Sequence, residues 1–365
     1  MASHKNQHFV PRCYLKRFSF GGDGLAINLY NIDRHTSIKA APVRGQCSRS
    51  YFYGKGLRLE KLFQQSESLY ANTIRRVSAP GYAFEEQDKV ILRHFCLLQF
   101  SRTEAAAERT ALVQSDLADI AFDGNIPKDL RTSVKDVVQM SMRTFPDIAH
   151  EINDLKVVLL RNMTDYEFIT SDNPAILTNR WHAQNDVAKH RSYGIGSSGA
   201  LFFLPVTTKI ICVIYDGDVY SMPHDYGWIK IHRTSDIESF NQHQVLDCAA
   251  NLYFCDWSQA PKIEQLCANV EYLRPAVRHE IITSVLEQED DRGQTFRVLD
   301  RDVIGKYREN HNEILLHVKG NRPRPAHWPS VIKWREKKRV YSNGSGVGFV
   351  RRSQVEEGRG YKNIY

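Results

Sequence analysis

Five polar residues far apart in the chain, His8, Glu67, Arg102, Asp172 and Asn173, have the side chains that a metal-assisted phosphodiesterase uses. A neutral imidazole such as that of His8 serves as a general base or a metal ligand near pH 7. Glu60 and Glu67 are seven residues apart, so a helix carries both on one side, at the border of its apolar face. A half-desolvated carboxylate there needs a cation, a hydrogen bond or a proton. A divalent ion (Mg²⁺ or Mn²⁺) held by His8, Glu60, Glu67 and Asp172 supplies the cation. An ion pair with Arg102, which the pattern places on a buried helix, is the commoner solution.

Thr170-Ser171-Asp172-Asn173-Pro174 follows a strand-like run, and Pro174 forces Asn173 into an extended conformation. Asp172 and Asn173 either close a turn through the backbone or point two oxygens into a cleft at a strand end. Two functions follow. In the first, His8, Glu67, Asp172 and Asn173 are catalytic, Arg102 steadies charge, and the chain is a nuclease or phosphodiesterase. In the second, the same residues close a buried polar network, and the chain is a nucleic-acid or protein binding module without chemistry.

Other motifs are weaker. Gly194-Ile195-Gly196-Ser197-Ser198-Gly199 has dinucleotide-binding spacing but lacks a strand before it and a helix after it, so it reads as a loop. His4 and His8 lack the glutamate of a zinc-protease pair, and no nucleophile elbow G-x-S-x-G occurs. The seven cysteines form no C-x-x-C and read as small buried hydrophobes.

The elements that must position these residues are an α+β set: a buried helical bundle packed with a mostly antiparallel sheet. Apolar spacing predicts helices over Leu57–Val77, Phe84–Gln114 and Pro127–Met142. Strands are expected at Leu155–Leu160, Phe168–Thr170, Leu201–Leu204 and Lys209–Tyr215. A capping box, Ser235-Asp236-Ile237-Glu238, opens a helix to about Tyr253. Helical patterns return at Lys262–Leu286 and Asp302–Val318. The expected division is a domain over 1–257 and a helical, basic accessory region over 258–365.

The stretch Gln7-His8-Phe9-Val10-Pro11-Arg12-Cys13-Tyr14-Leu15-Lys16-Arg17-Phe18 resembles the opening signature of domain of unknown function family 4238. The paired glutamates of Leu59 to Glu67, the segment Ile169 to Pro174, and Leu204-Pro205-Val206-Thr207 with the helix of Asn241 resemble its later parts. The resemblance spans roughly Gln7 to Trp257. It implies a shared fold and a shortlist of residues, and carries no activity. Cys13 departs from the pattern, which favours a bulkier residue there, and the departure bears on packing.

Formal net charge is +7, unevenly spread. From Lys319 to Lys362 twelve basic residues face three acidic ones, a balance of +9, which leaves the remainder of the chain at −2. Lys333, Arg335, Lys337, Lys338, Arg339, Arg351 and Arg352 alternate with Trp328, Trp334, Tyr341 and Phe349, as in surfaces that meet phosphates and stack on bases. The segment is either a plain solvated surface or a site for nucleic acid, which is the candidate partner. The polar start and the absence of a ~20-residue apolar run predict a cytoplasmic chain with no membrane partner.

Overall fold

The computed structural model describes residues 6–55, 57–122, 124–127, 133–290, 293–300, 303–304 and 314–365. His4 and most of the stretch 302–318 lie outside them. The helices are α1 (Arg12–Leu15), α2 (Leu57–Val77), α3 (Glu86–Arg102), α4 (Glu104–Phe122), α5 (Val134–Ile148), α6 (Arg180–Gln184), α7 (Thr234–Asp247) and α8 (Ala260–Val270). With several mostly antiparallel sheets they make an α+β fold. No helix among the described residues is long and apolar enough to cross a membrane. All seven cysteines are free.

The chain divides into two compact units. The first comprises Met1–Glu108, Val134–Arg274 and Pro323–Tyr365; the second comprises Arg109–Ser133 and Pro275–Arg322.

The first unit is built on a five-stranded sheet in the order Trp228–Ile231, Lys156–Asn162, Ile210–Tyr215, Leu201–Thr207, Ile176–Thr178. Only its first pair is parallel. The runs Leu201-Phe202-Phe203-Leu204 and Ile210 to Ile214 are apolar without alternation because both sheet faces are covered. Neighbouring side chains of a strand point to opposite faces. Phe202 meets Phe100 of α3 edge-on at 5.7 Å, while Phe203 meets Phe240 of α7 at 5.0 Å. A four-stranded antiparallel sheet, Thr36–Pro42, Ala26–Asn31, Asn251–Phe254 and Thr170–Ser171, joins the N-terminal part to the middle of the chain.

Helix boundaries differ from the expected ones where side chains compete with the backbone. The single helix expected over Phe84–Gln114 is two. Thr103 is extended (φ −72°, ψ 157°), and its hydroxyl accepts from Ala106 N at 3.2 Å, capping α4. The Ser235 capping box does not form: α7 begins at Thr234 without a side-chain cap, and Asp236 is engaged elsewhere. Beyond α8 the expected helices give way to strands. The second unit is a three-stranded antiparallel sheet, Gly293–Leu299, His279–Asp290 and Ile314–Gly320, with Ile281, Ile304, Leu117 and Ile120 packed together. Ile281, Thr283 and Val285 fall on one face at the period of a strand, and Ser284 is buried on the other.

The basic segment Pro323–Tyr365 is part of the first unit's core. Ile332, Val340 and Phe349 are buried in the same cluster as Phe203, Trp181 and Tyr220. Lys333–Trp334 pairs with Tyr220–Ser221, and Tyr341–Ser342 pairs with Lys362–Asn363. Helix α7 fastens the segment from beneath. Asp236 accepts from the backbone and hydroxyl of Ser330 at 2.6 and 2.8 Å, and Gln242 accepts from Ala326 N at 2.6 Å.

Two outcomes follow. Phe349→Ala should lower the free energy of unfolding by about 3 kcal/mol, the cost of emptying a large buried site; urea denaturation measures it. Burial pulls His243 and His182 down to about 4. A histidine depressed on folding contributes stability present above its unfolded value near 6.5 and lost as pH falls toward 4. The urea midpoint should therefore drop steeply between about pH 6.5 and 4, and His243→Gln should flatten that dependence.

Candidate functional site

The residues singled out by type and spacing fall into two clusters on either side of the Arg102–Thr103 peptide. The first contains His8, Glu67 and Arg102. His8 ends the strand Asn6–His8, which pairs with Ser48–Ser50. Arg102 is the last residue of α3 and fully buried. Its Nε donates to the Phe9 carbonyl at 3.0 Å, its Nη2 donates to Glu67 Oε1 at 2.9 Å, and the guanidinium lies 5.0 Å over Phe63. Arg102 thus ties the opening motif to α2 through the ion pair expected of a buried guanidinium. Its Nη1 is buried without a hydrogen-bond partner, and so is His8 Nε2.

A pocket of about 170 Å³ opens beside this pair, lined by His8, Arg12, Cys13, Tyr53, Phe63 and Glu67 among others. Burial and then the charge of Arg12 lower the His8 pKa, so the imidazole is neutral at pH 7. Burial, reinforced by Glu67, pushes the Cys13 thiol up to about 12, which leaves it a protonated, unreactive wall. Glu60 lies in α2, and its side chain is outside the described residues.

The second cluster holds Asp172 and Asn173, and it is closed. Asp172 Oδ1 accepts from Ala249 N at 2.7 Å, while Oδ2 accepts from Ala250 N and Asn251 N, both at 2.8 Å. Burial pushes its pKa up and these three amides oppose the shift. Asn173 is fully buried. Its Oδ1 accepts from the Thr103 hydroxyl at 2.8 Å, and its Nδ2 donates to the Asp247 carbonyl and carboxylate at 3.0 and 2.9 Å. Both residues are turn and network elements, and neither lines the His8 pocket. Among the described residues no group of three or more His, Cys, Asp or Glu can hold a metal ion. The shared metal shell of His8, Glu67 and Asp172 is therefore not assembled, because every oxygen of Asp172 is already committed to backbone amides.

Residues missed by the sequence reading complete the network. The Tyr14 hydroxyl, fully buried, donates to the Pro205 carbonyl at 2.5 Å and is 2.7 Å from Thr170 Oγ1. In α7, Asn241 bonds the backbone on both sides of Phe168, and Gln244 accepts from Ser171 Oγ at 2.8 Å and donates to the Pro174 carbonyl at 2.9 Å. The available signal was Asn241-Gln242-His243-Gln244, four polar residues inside a helix flanked by apolar segments.

The basic segment also needs correction. Arg351 is buried and bound to Asp154 at 2.9 Å and to the carbonyls of Ile195 and Glu151, so it is a structural pin. Arg335 is half-buried and donates to the Gly217 carbonyl at 2.6 Å. Trp334 stacks on Tyr220 at 5.4 Å, Phe349 packs on Trp181 at 5.0 Å, and Trp328 packs on His243 at 5.2 Å. These rings are spent on the interior. Lys333, Lys337, Arg339 and Arg352 are exposed, and Lys338 is half-buried over the rings of Trp334 and Tyr365. Arg180 of α6 lies 4.9 Å over the same Trp334, and Arg324 donates to the Lys189 carbonyl.

Glu67→Ala leaves a buried guanidinium facing no charge. The expected loss is about 2 kcal/mol of unfolding free energy, less than for a fully buried pair because the Glu67 side chain is 27% exposed. Equilibrium urea denaturation reads it.

No curated protein and no solved structure matches the chain. A family model described as protein of unknown function (DUF4238) matches residues 6–258. That span contains the opening motif, the Arg102–Glu67 pair, the Asp172 turn and α7, and the chain belongs to this family.

Proposed function

We propose that the chain is a non-catalytic nucleic-acid binding module whose buried polar network is structural. One observation carries this reading: Asp172 and Asn173 spend their side-chain polar atoms on internal partners, and Arg102 commits its Nε and Nη2 in the same way. The binding surface is assigned to the exposed basic residues of the segment 323–365, Lys333, Lys337, Arg339 and Arg352. Phosphate neutralisation there supplies affinity without base readout.

A second reading rests on the His8 pocket. Its unpartnered, neutral imidazole beside Glu67 and Arg12 fits a general base acting on a phosphate ester with an arginine at the developing charge. Mg²⁺ or Mn²⁺ enters that reading through His8 and Glu67 without Asp172.

One set of assays separates the two. Fluorescence anisotropy with labelled single-stranded RNA and double-stranded DNA at low salt should show binding. The triple variant K333E/K337E/R339E should weaken it by at least about 10-fold and reduce the log–log salt slope by about 3, one per lost phosphate contact. Unchanged affinity in the folded variant contradicts the assignment of the surface. Incubation of the same nucleic acids with Mg²⁺ or Mn²⁺ should leave them intact; cleavage that His8→Ala abolishes would favour the pocket as a hydrolytic site.

A further inference from the structure

The second unit contains a larger hollow than the His8 pocket, and the charged groups that line it are acidic. It has a volume of about 580 Å³ and opens at one end of the three-stranded sheet. Helix α4 contributes Asp116, whose Oδ2 is 2.8 Å from His279 Nε2. The strand His279–Asp290 contributes His279, Glu280 and Thr283, and the end of Gly293–Leu299 leads into Asp300. No lysine or arginine lines the hollow among the described residues; Lys319 pairs with the lining Glu280 at 3.5 Å. In a chain of net charge +7 this is a local reversal of sign.

Acidic side chains at a surface are not in themselves a site. The decisive feature is Thr283. It is 3% exposed, lies opposite Leu299 in the strand register, lines the hollow, and its Oγ1 has no hydrogen-bond partner. A buried hydroxyl left unpaired costs free energy of the order of 1–3 kcal/mol, so a partner entering the hollow recovers it. Asp116, Glu280 and Asp300 all line the hollow, yet among the described residues no three ligating groups come together as a metal ion requires. Dispersed carboxylates, a recessed oxygen acceptor and apolar stretches from Val277, Ile282 and Val298 match an extended alkyl cation.

We propose that this hollow binds a small polyamine-type cation. One ammonium lies between Asp116 and Asp300, a second reaches the Thr283 hydroxyl, and the methylenes cover the valine walls. The His279–Asp116 pair fixes the orientation of the carboxylate, as second partners do for ligating groups elsewhere.

The test is isothermal titration of the full chain, free of nucleic acid, with spermidine, and with citrate as a polyanion control. Wild type should bind one spermidine saturably and show no citrate binding at this hollow. Asp300→Asn, at an exposed position that tolerates the change, should weaken spermidine by about 10-fold, the worth of one charge-assisted hydrogen bond. Thr283→Val, isosteric and without the hydroxyl, should weaken it while preserving the thermal midpoint. The triple variant K333E/K337E/R339E should bind spermidine as wild type does, which separates this site from the nucleic-acid surface. Absence of saturable spermidine binding, or affinity unchanged in both Asp300→Asn and Thr283→Val, overturns the proposal.

Discussion

Polar side chains buried in a helix need partners, and α7 imposes that constraint on the molecule at five of its positions. Asp236, Asn241, Gln242, Gln244 and Asp247 are all buried, and each bonds a segment distant in sequence. Burying an amide or carboxylate without a partner costs several kcal/mol, so the strap around 167–174 and the segment 326–330 are held where those partners are needed. Hydrophobic burial drives the collapse of the first unit, and α7 selects one arrangement from those that bury similar apolar area.

The motifs by which the chain resembles its family meet in space. Tyr14 of the opening motif bonds Thr170 of the central one and Pro205 of the later one, while Arg102 and Glu67 hold the opening motif to α2. Asn173 links the cap of α4 to the end of α7 through Thr103 and Asp247. Residues whose types suggest catalysis therefore form a three-way joint between chain segments. Beside the His8 pocket, His8 Nε2 and Arg102 Nη1 are buried without hydrogen-bond partners.

Local patterns were legible where one physical signal dominated. Helix α2 was readable from its apolar spacing, and so were the central strands from their unbroken apolar runs. That Arg102 is paired followed from the cost of a lone buried charge, while the choice of Glu67 over Glu60 or Asp172 is made by the fold. Other features depend on partners that no local window contains. Thr103 breaks a helix because Asn173 and Ala106 use its hydroxyl. Asp172 is a turn clamp because three amides from residues 249–251 face it. Strands between His279 and Gly320 resembled helices because β-branched and long apolar residues fit either period until a neighbouring strand selects one. The segment after Pro323 looked like a solvated tail because its charges outnumber its anchors, yet Ile332, Val340 and Phe349 suffice to seat it.

The central claim is that the Asp172 turn is a permanent part of the folded frame, and native-state hydrogen exchange tests it most directly. The amides of Ala249, Ala250 and Asn251 should exchange only through global unfolding, with the same free energy as amides of the strand Ile210–Tyr215. Exchange of those three amides through a low-energy local opening, while the strand remains protected, would mean that the carboxylate is released in the native state and would contradict the account.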